Sequence, residues 1–203
     1  MFKIDHRKTL KHLYHPSSKL PILVEVPTMN FLMMDGRGKP EGKQFPQAAG
    51  TLFPLAYTLK FMVRFAIDVD FHVMPMEVQW RVSREKKEFA WTMMLMQPEY
   101  VTAELVAEAR RKVQSKVDAS LLERVRFAQL AEGMCVQLLH IGPYEGMDAA
   151  LDRMLAVAGE QGYAAPVRST HDIYLNDIRQ TKPENLRAVM RLPVIRKSTY
   201  QEK

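Results

Sequence analysis

Two stretches of this sequence run through the same order of apolar patterns, and that internal repeat restricts the possible folds more than any other feature. The first opens with PILVEV (21–26) and NFLMM (30–34), apolar and rich in β-formers, and stops at the turn signal Asp35-Gly36-Arg37-Gly38. Leu52, Leu55, Leu59, Met62, Val63 and Ala66 then recur at intervals of three and four. This spacing predicts a helix, with Pro54 tolerated near its first turn. Strand-like runs at 76–82 and 89–96 follow, separated by the charged turn 83–88. The order is β-α-β-β. In the second stretch, 125–130 and 134–141 read as strands. Met147, Ala150, Leu151, Met154, Leu155 and Ala158 share one helical face that ends near Gly159 and Gly162, and strands at 172–176 and 186–194 close the same order again.

Either copy alone would leave one apolar face of its sheet bare, and joining two such sheets around a pseudo-twofold axis removes that cost. The expectation is one α+β domain over 20–203, with β-α-β-β half-repeats at about 20–100 and 124–195 and a central ligand cleft at the axis. A helical connector would occupy 102–123, where Thr102 is placed to cap a helix from Ala103 to about Lys116 and Ser120 with Glu123 has capping-box spacing. Residues 1–19 read as a basic N-terminal arm.

Composition narrows the function. With 203 residues, 47% of them hydrophobic, the chain can bury a substantial core. Its longest apolar stretch, 52–67, is broken by Pro54, Lys60 and Arg64, short of the roughly 20 apolar residues a membrane span needs. The N-terminus has no apolar signal segment and Cys135 is the lone cysteine, so a cytoplasmic location is expected. The net charge of +6 draws on Lys3, Arg7, Lys8, Lys11 and Lys19 with Arg110, Arg111 and Lys112, scattered and without interleaved aromatics. A solvated basic surface accounts for them, and direct nucleic-acid binding is not expected. His6, His12 and His15 lack zinc-site spacing and read as surface residues. Gly36-Arg37-Gly38 is too short for a dinucleotide loop, and there is no phosphate-binding loop, nucleophile elbow or Cys/His constellation. No metal and no cofactor are expected.

The third strand of each half carries an acid, Glu77 in PMEVQW and Asp172 in HDIYL, which suggests two carboxylates facing each other across the cleft. Alternation puts Gln79 on the face of Glu77 and Tyr174 on the face of Asp172. Trp80 and Trp91, the only tryptophans, with Met93 and its methionine neighbours, form an aromatic, deformable surface that suits a flat apolar ligand and equally suits a core. Gly142-Pro143 turns a strand into a helix, which places Tyr144 at the cleft rim and Glu145 at the helix start, where the helix dipole favours an acid.

HIGPYEGM (140–147), HDIYLNDIRQTKPENLRAVMRLPV (171–194), PMEVQW (75–80) and WTMMLMQPEYVT (91–102) together resemble the GyrI-like small-molecule-binding proteins, in particular stand-alone members of about this length. The resemblance implies a cleft between two β-α-β-β halves that takes amphipathic, aromatic or cationic compounds. Domains of this kind fused to transcription regulators sense multidrug ligands. Some stand-alone members hydrolyse the strained ring of cyclopropanoid DNA-alkylating compounds with a pocket glutamate. Many members have that glutamate where this chain has Asp172, one methylene shorter, and Glu77 is the residue that would supply the missing reach. On this reading Asp172 or Glu77 is the base, Tyr174 or Tyr144 the hydroxyl donor, and Trp80 and Trp91 the walls, with Met93 and Gln79 as further ligand contacts. The alternative is a non-catalytic protein that binds or senses amphipathic drugs. Inhibition of DNA gyrase is implied by the family name alone.

Overall fold

The computed structural model describes residues 1–82, 89–165 and 169–197; the expected turn at 83–88 lies outside them. An N-terminal segment of β1 (Phe2–Ile4), α1 (His6–Thr9) and α2 (Lys11–Tyr14) precedes the first half. That half comprises β2 (Ile22–Val26), β3 (Met29–Arg37), α3 (Gln44–Ile67), β4 (Val69–Phe71), β5 (Met76–Val82) and β6 (Phe89–Gln97). The connector holds α4 (Ala103–Val113) and α5 (Ala119–Glu123). The second half comprises β7 (Arg126–Leu130), β8 (Gly133–Ile141), α6 (Met147–Glu160), β9 (Tyr163–Ala164), β10 (Ser169–Tyr174), β11 (Arg187–Pro193) and β12 (Ile195–Arg196). The protein is α+β. No helix among the described residues is long and apolar enough to cross a membrane.

Eight strands form one antiparallel sheet in the order β2-β8-β11-β10-β5-β6-β3-β7. Strands from the two halves therefore meet at β5 and β10, and each outermost strand comes from the other half. On one face α3 packs over β3 and β6, and α6 over β2, β8 and β11. The central pair β5 and β10 runs between the two helices. Leu52, Leu55, Leu59 and Val63 of α3 bury against Leu32, Met34, Met93 and Leu95, while Ala150, Met154 and Ala158 of α6 bury against Val136, Leu138, Met190 and Leu192.

Four local expectations are corrected. The strand expected to stop at Asp35 runs on to Arg37, and Gly36 pairs with Trp91, whose ring lies where a Cβ at position 36 would be. This glycine serves close packing in a strand. Helix α3 starts at Gln44, which puts Pro54 in its interior; Phe45 anchors the added turns by packing on Trp80 and Trp91. The cap of α5 is Asp118, whose carboxylate accepts from the backbone N–H of Ser120 and Leu121, in place of the expected Ser120. Thr102 caps α4 as expected, accepting from the Leu105 N–H.

The fourth correction concerns the N-terminal arm, which is docked. Leu13 and Tyr14 are fully buried on the sheet face opposite the long helices, among Phe31, Met33, Met94, Met96, Cys135, Ile173 and Val189. The basic residues Lys8 and Lys11 point outward from the same short helices, so charge patterning concealed an amphipathic cover. His12 and His15 are exposed, whereas His6 is half-buried with Nε2 3.1 Å from the Tyr100 hydroxyl. Leu13→Ala is expected to lower unfolding free energy by roughly 2–5 kcal/mol in urea titrations. Lys8→Ala should stay within about 0.5 kcal/mol of the parent; equal effects would mean that the segment is not docked.

Candidate functional site

The register of β5 on β10 decides which side chains share a face. Asp172 pairs with Val78 and Ile173 with Glu77, so the two acids project to opposite faces. The expected pair of carboxylates in one cleft is thereby corrected: Asp172 lies on the face that carries α3 and α6, and Glu77 on the face that carries α2. Gln79 goes with Glu77, because it pairs with His171, and a ligand on the face of Asp172 would not meet it. The expectation failed because a period of two identifies the faces within each strand, whereas the offset between strands is set by their pairing.

Asp172 occupies an otherwise apolar row that crosses the sheet as Met34, Met93, Val78, Asp172, Met190 and Leu138. It is 4% exposed; Oδ2 is 3.4 Å from the Thr170 hydroxyl, and Oδ1 has no hydrogen-bond partner among the described residues. Burial among these neighbours pushes its carboxyl up to about 7, against pulls from His171 and from Thr170. An acid so placed ionises near neutrality.

Tyr174 stands two residues along β10 on the same face. Its hydroxyl accepts from Trp80 Nε1 at 3.1 Å, which leaves the phenolic hydrogen available to a ligand. Tyr144 meets it edge-to-face with ring centroids 5.4 Å apart. Burial, with Asp172 close by, raises the pKa of both hydroxyls. Tyr144 is carried by a 3-10 turn, Tyr144–Gly146, at the start of α6. The preceding Gly142 adopts φ 122°, open to glycine at little cost, and the His140 ring bonds through Nε2 to the Pro143 carbonyl at 2.8 Å. Glu145 is exposed in that turn, a helix-start residue.

Trp80 is half-buried and stacked on Phe45 with 5.7 Å between centroids and 10° between planes. Trp91 is sealed, its Nε1 donating to the Gly38 carbonyl at 3.1 Å, and Met93 is fully buried. The expectations of Trp91 as a stacking wall beside Trp80 and of Met93 as a further contact are corrected: both are closed inside the core, and Phe45 is the ring stacked on Trp80. Nothing local in the sequence marked Phe45, since the turn that carries it was read as preceding the helix. A separate open groove of about 520 Å³ runs between α3 and α4, lined by residues that include Phe61, Phe65, Leu105 and Lys112 and by none of the side chains above. No group of three metal-ligating side chains occurs among the described residues.

The opposite face holds what sequence reasoning missed. His171 lies between two carboxylates: Nδ1 donates to Glu132 Oε2 at 2.9 Å, and Nε2 is 2.9 Å from Glu77 Oε2 at an angle poor for a hydrogen bond. The Tyr14 hydroxyl donates to Glu77 Oε1 at 2.7 Å. Arg191 reaches Glu132 at 3.4 Å, donates to the Leu13 carbonyl at 2.9 Å and lies over the Tyr14 ring. Alternation in HDIYL does put His171 and Asp172 on opposite faces, but no spacing signal connects them to Tyr14 or Glu132.

The sequence profile of the GyrI-like small molecule binding domain matches residues 21–195. The chain belongs to the GyrI-like family. Among solved structures, an uncharacterized conserved protein from Listeria innocua superposes with a TM-score of 0.86 at 33% identity, covering 95% of this chain and 100% of that one. A structure described as a hydrolase from Listeria innocua gives 0.85 at 34% identity with the same coverage. The EcmrR C-terminal domain shares the fold, at a TM-score of 0.51 and 12% identity over 87% of this chain and 98% of that one. No curated protein gave a significant match.

Because the folded state holds its Asp172 proton up to about pH 7 while an unfolded aspartate releases it near 3.8, stability contributed by this residue falls as pH rises through that window. Asp172→Asn is expected to raise the melting temperature at pH 8, on the order of 5 °C, and to change it little at pH 4. Equal shifts at the two pH values in thermal melts would show that Asp172 ionises normally.

Proposed function

We propose that this GyrI-like domain binds flat amphipathic molecules in the trough over β5 and β10 and hydrolyses them, with Asp172 as the base. The observation that carries the reading is a lone carboxylate in an apolar row, one oxygen unbonded, beside a tyrosine hydroxyl whose hydrogen is uncommitted. The likeness to a Listeria innocua structure described as a hydrolase supports it, at 34% identity over nearly the whole chain. The strand order maps onto itself when the halves are exchanged, which supports a trough on a pseudo-twofold axis.

The substrate class we assign is a cyclopropanoid alkylator, in which a cyclopropane is conjugated to a dienone. Asp172 deprotonates a water whose oxygen attacks the ring methylene. The cyclopropane C–C bond breaks, and its electron pair moves through the dienone onto the carbonyl oxygen, where Tyr174 donates a hydrogen bond. Asp172 passes its proton to solvent and the phenolate takes one up, so the net change is addition of water. Phe45, Trp80 and Tyr144 hold the flat ligand. Glu77 has no part in this step because it lies behind the sheet.

Incubation with such an alkylator, followed by chromatography of the ring-opened hydrate, tests the reading. Turnover is expected to rise with pH through about 7, as Asp172 ionises. Asp172→Asn should lower it by about 10²–10⁴ while leaving affinity in place. An Asp172→Asn variant at the parent rate would remove the base assignment. Stoichiometric binding without product would leave a drug-binding or sensing pocket, and loss of affinity in the variant would then assign the acid to neutralising a cationic ligand.

A further inference from the structure

Asp172 and His171 are neighbours on β10 with side chains on opposite faces, and one backbone layer separates them. Around Asp172 the facing groups are Thr170 and Tyr174 of β10, Tyr144 of the turn before α6, and the apolar Val78 and Met190 of the flanking strands. No cation faces it directly among these contacts. Around His171 the facing groups are Glu77 of β5, Glu132 of the β7–β8 turn, Arg191 of β11 and, through Glu77, Tyr14 of α2; Cys135 of β8 lies near Glu132. The side chains of Glu77, Glu132, His171 and Arg191 are at most 1% exposed. Two anions therefore hold two cations on a surface closed to water.

Anchoring the N-terminal segment does not by itself account for such a cluster. Replacing a buried ion network by apolar side chains is often neutral or stabilising, and Leu13 already supplies apolar contact. What an apolar replacement would lack is a charged imidazolium, flanked by Glu77 and Glu132, on the residue adjacent to Asp172. The charge lies one backbone layer from the carboxylate, in a cluster whose side chains are at most 1% exposed, where water screens it little.

We propose that His171 is a positioning residue of the site: its imidazolium, clamped between Glu77 and Glu132 behind the sheet, holds Asp172 in its ionisable state in the trough. The inference rests on the catalytic reading for its purpose, although its test does not. The clamp keeps His171 protonated up to about pH 9, so the positive charge is present throughout the range in which Asp172 titrates. Without it, only the long Thr170 contact would oppose burial at Asp172, and a base needed near neutrality would stay protonated.

Carboxyl ¹³C NMR of aspartate-labelled protein reads the coupling, with the Asp172 signal assigned by its loss in Asp172→Asn. His171→Gln is expected to move the Asp172 midpoint upward by about one pH unit. His171→Arg, which keeps the charge, should bring it back toward the parent value, and Ile173→Val, which loosens the same strand without altering charge, should leave it in place. A midpoint unmoved in His171→Gln, or moved equally in Ile173→Val, overturns the proposal. Should His171→Gln fail to fold, imidazole ¹⁵N shifts of the unaltered protein decide: a doubly protonated His171 at pH 7.5 is required, and a neutral ring there overturns the coupling. Survival of turnover in Asp172→Asn is a separate result, which removes the catalytic reading and leaves the titration intact.

Discussion

The in-register pairing of β5 with β10 is the contact on which the site depends. It joins the two halves into one sheet, and by setting Val78 opposite Asp172 and Glu77 opposite Ile173 it assigns the acids to different faces. A slip of one residue would bring Glu77 and Asp172 to the same face, and would also move Val78 or Ile173, whichever strand flipped, out of its core. Apolar burial on both faces thus specifies the register. The register in turn puts Asp172, and not Glu77, on the face that carries the long helices.

Both faces of the sheet are covered, but by different means. Long helices cover the outer strands on one face and leave the central pair between them, where Phe45, Trp80, Tyr144 and Tyr174 gather over Asp172. On the other face a short N-terminal segment closes over a row of polar side chains, with Tyr14, Arg191 and the Leu13 carbonyl tying it to the sheet. One face holds a lone acid among apolar neighbours, and the other a cluster in which two carboxylates face two cations.

Much of this was legible in the chain. The helical spacing in 52–66 and 147–158, the strand runs, the cap at Thr102 and the turn at Gly142-Pro143 all correspond to elements of the fold, because each is a local preference that burial reinforces. Trp80, Tyr144, Asp172 and Tyr174 were also named, and they meet in space. The errors have a common source. Gly36 read as a turn because its reason for being glycine is the Trp91 ring, a contact 55 residues away. Residues 1–19 read only as a basic arm because the surface that takes up Leu13 and Tyr14 is assembled from strands of both halves.

By itself the sequence determined the main helices and strands and the family, since periodicity, caps and turn residues act over a few positions and survive without knowledge of the partner strand. It also determined that Asp172 and Tyr174 share a face, through the alternation of a single strand. Only the tertiary structure decided that Glu77 belongs to the opposite face, that Trp91 and Met93 are sealed while Phe45 stacks on Trp80, and that His171 is held between two carboxylates. Those outcomes depend on strand register and on contacts between residues up to 178 positions apart, such as Arg191 on the Leu13 carbonyl. No local pattern encodes them, because they come into being only when the two halves close on one another.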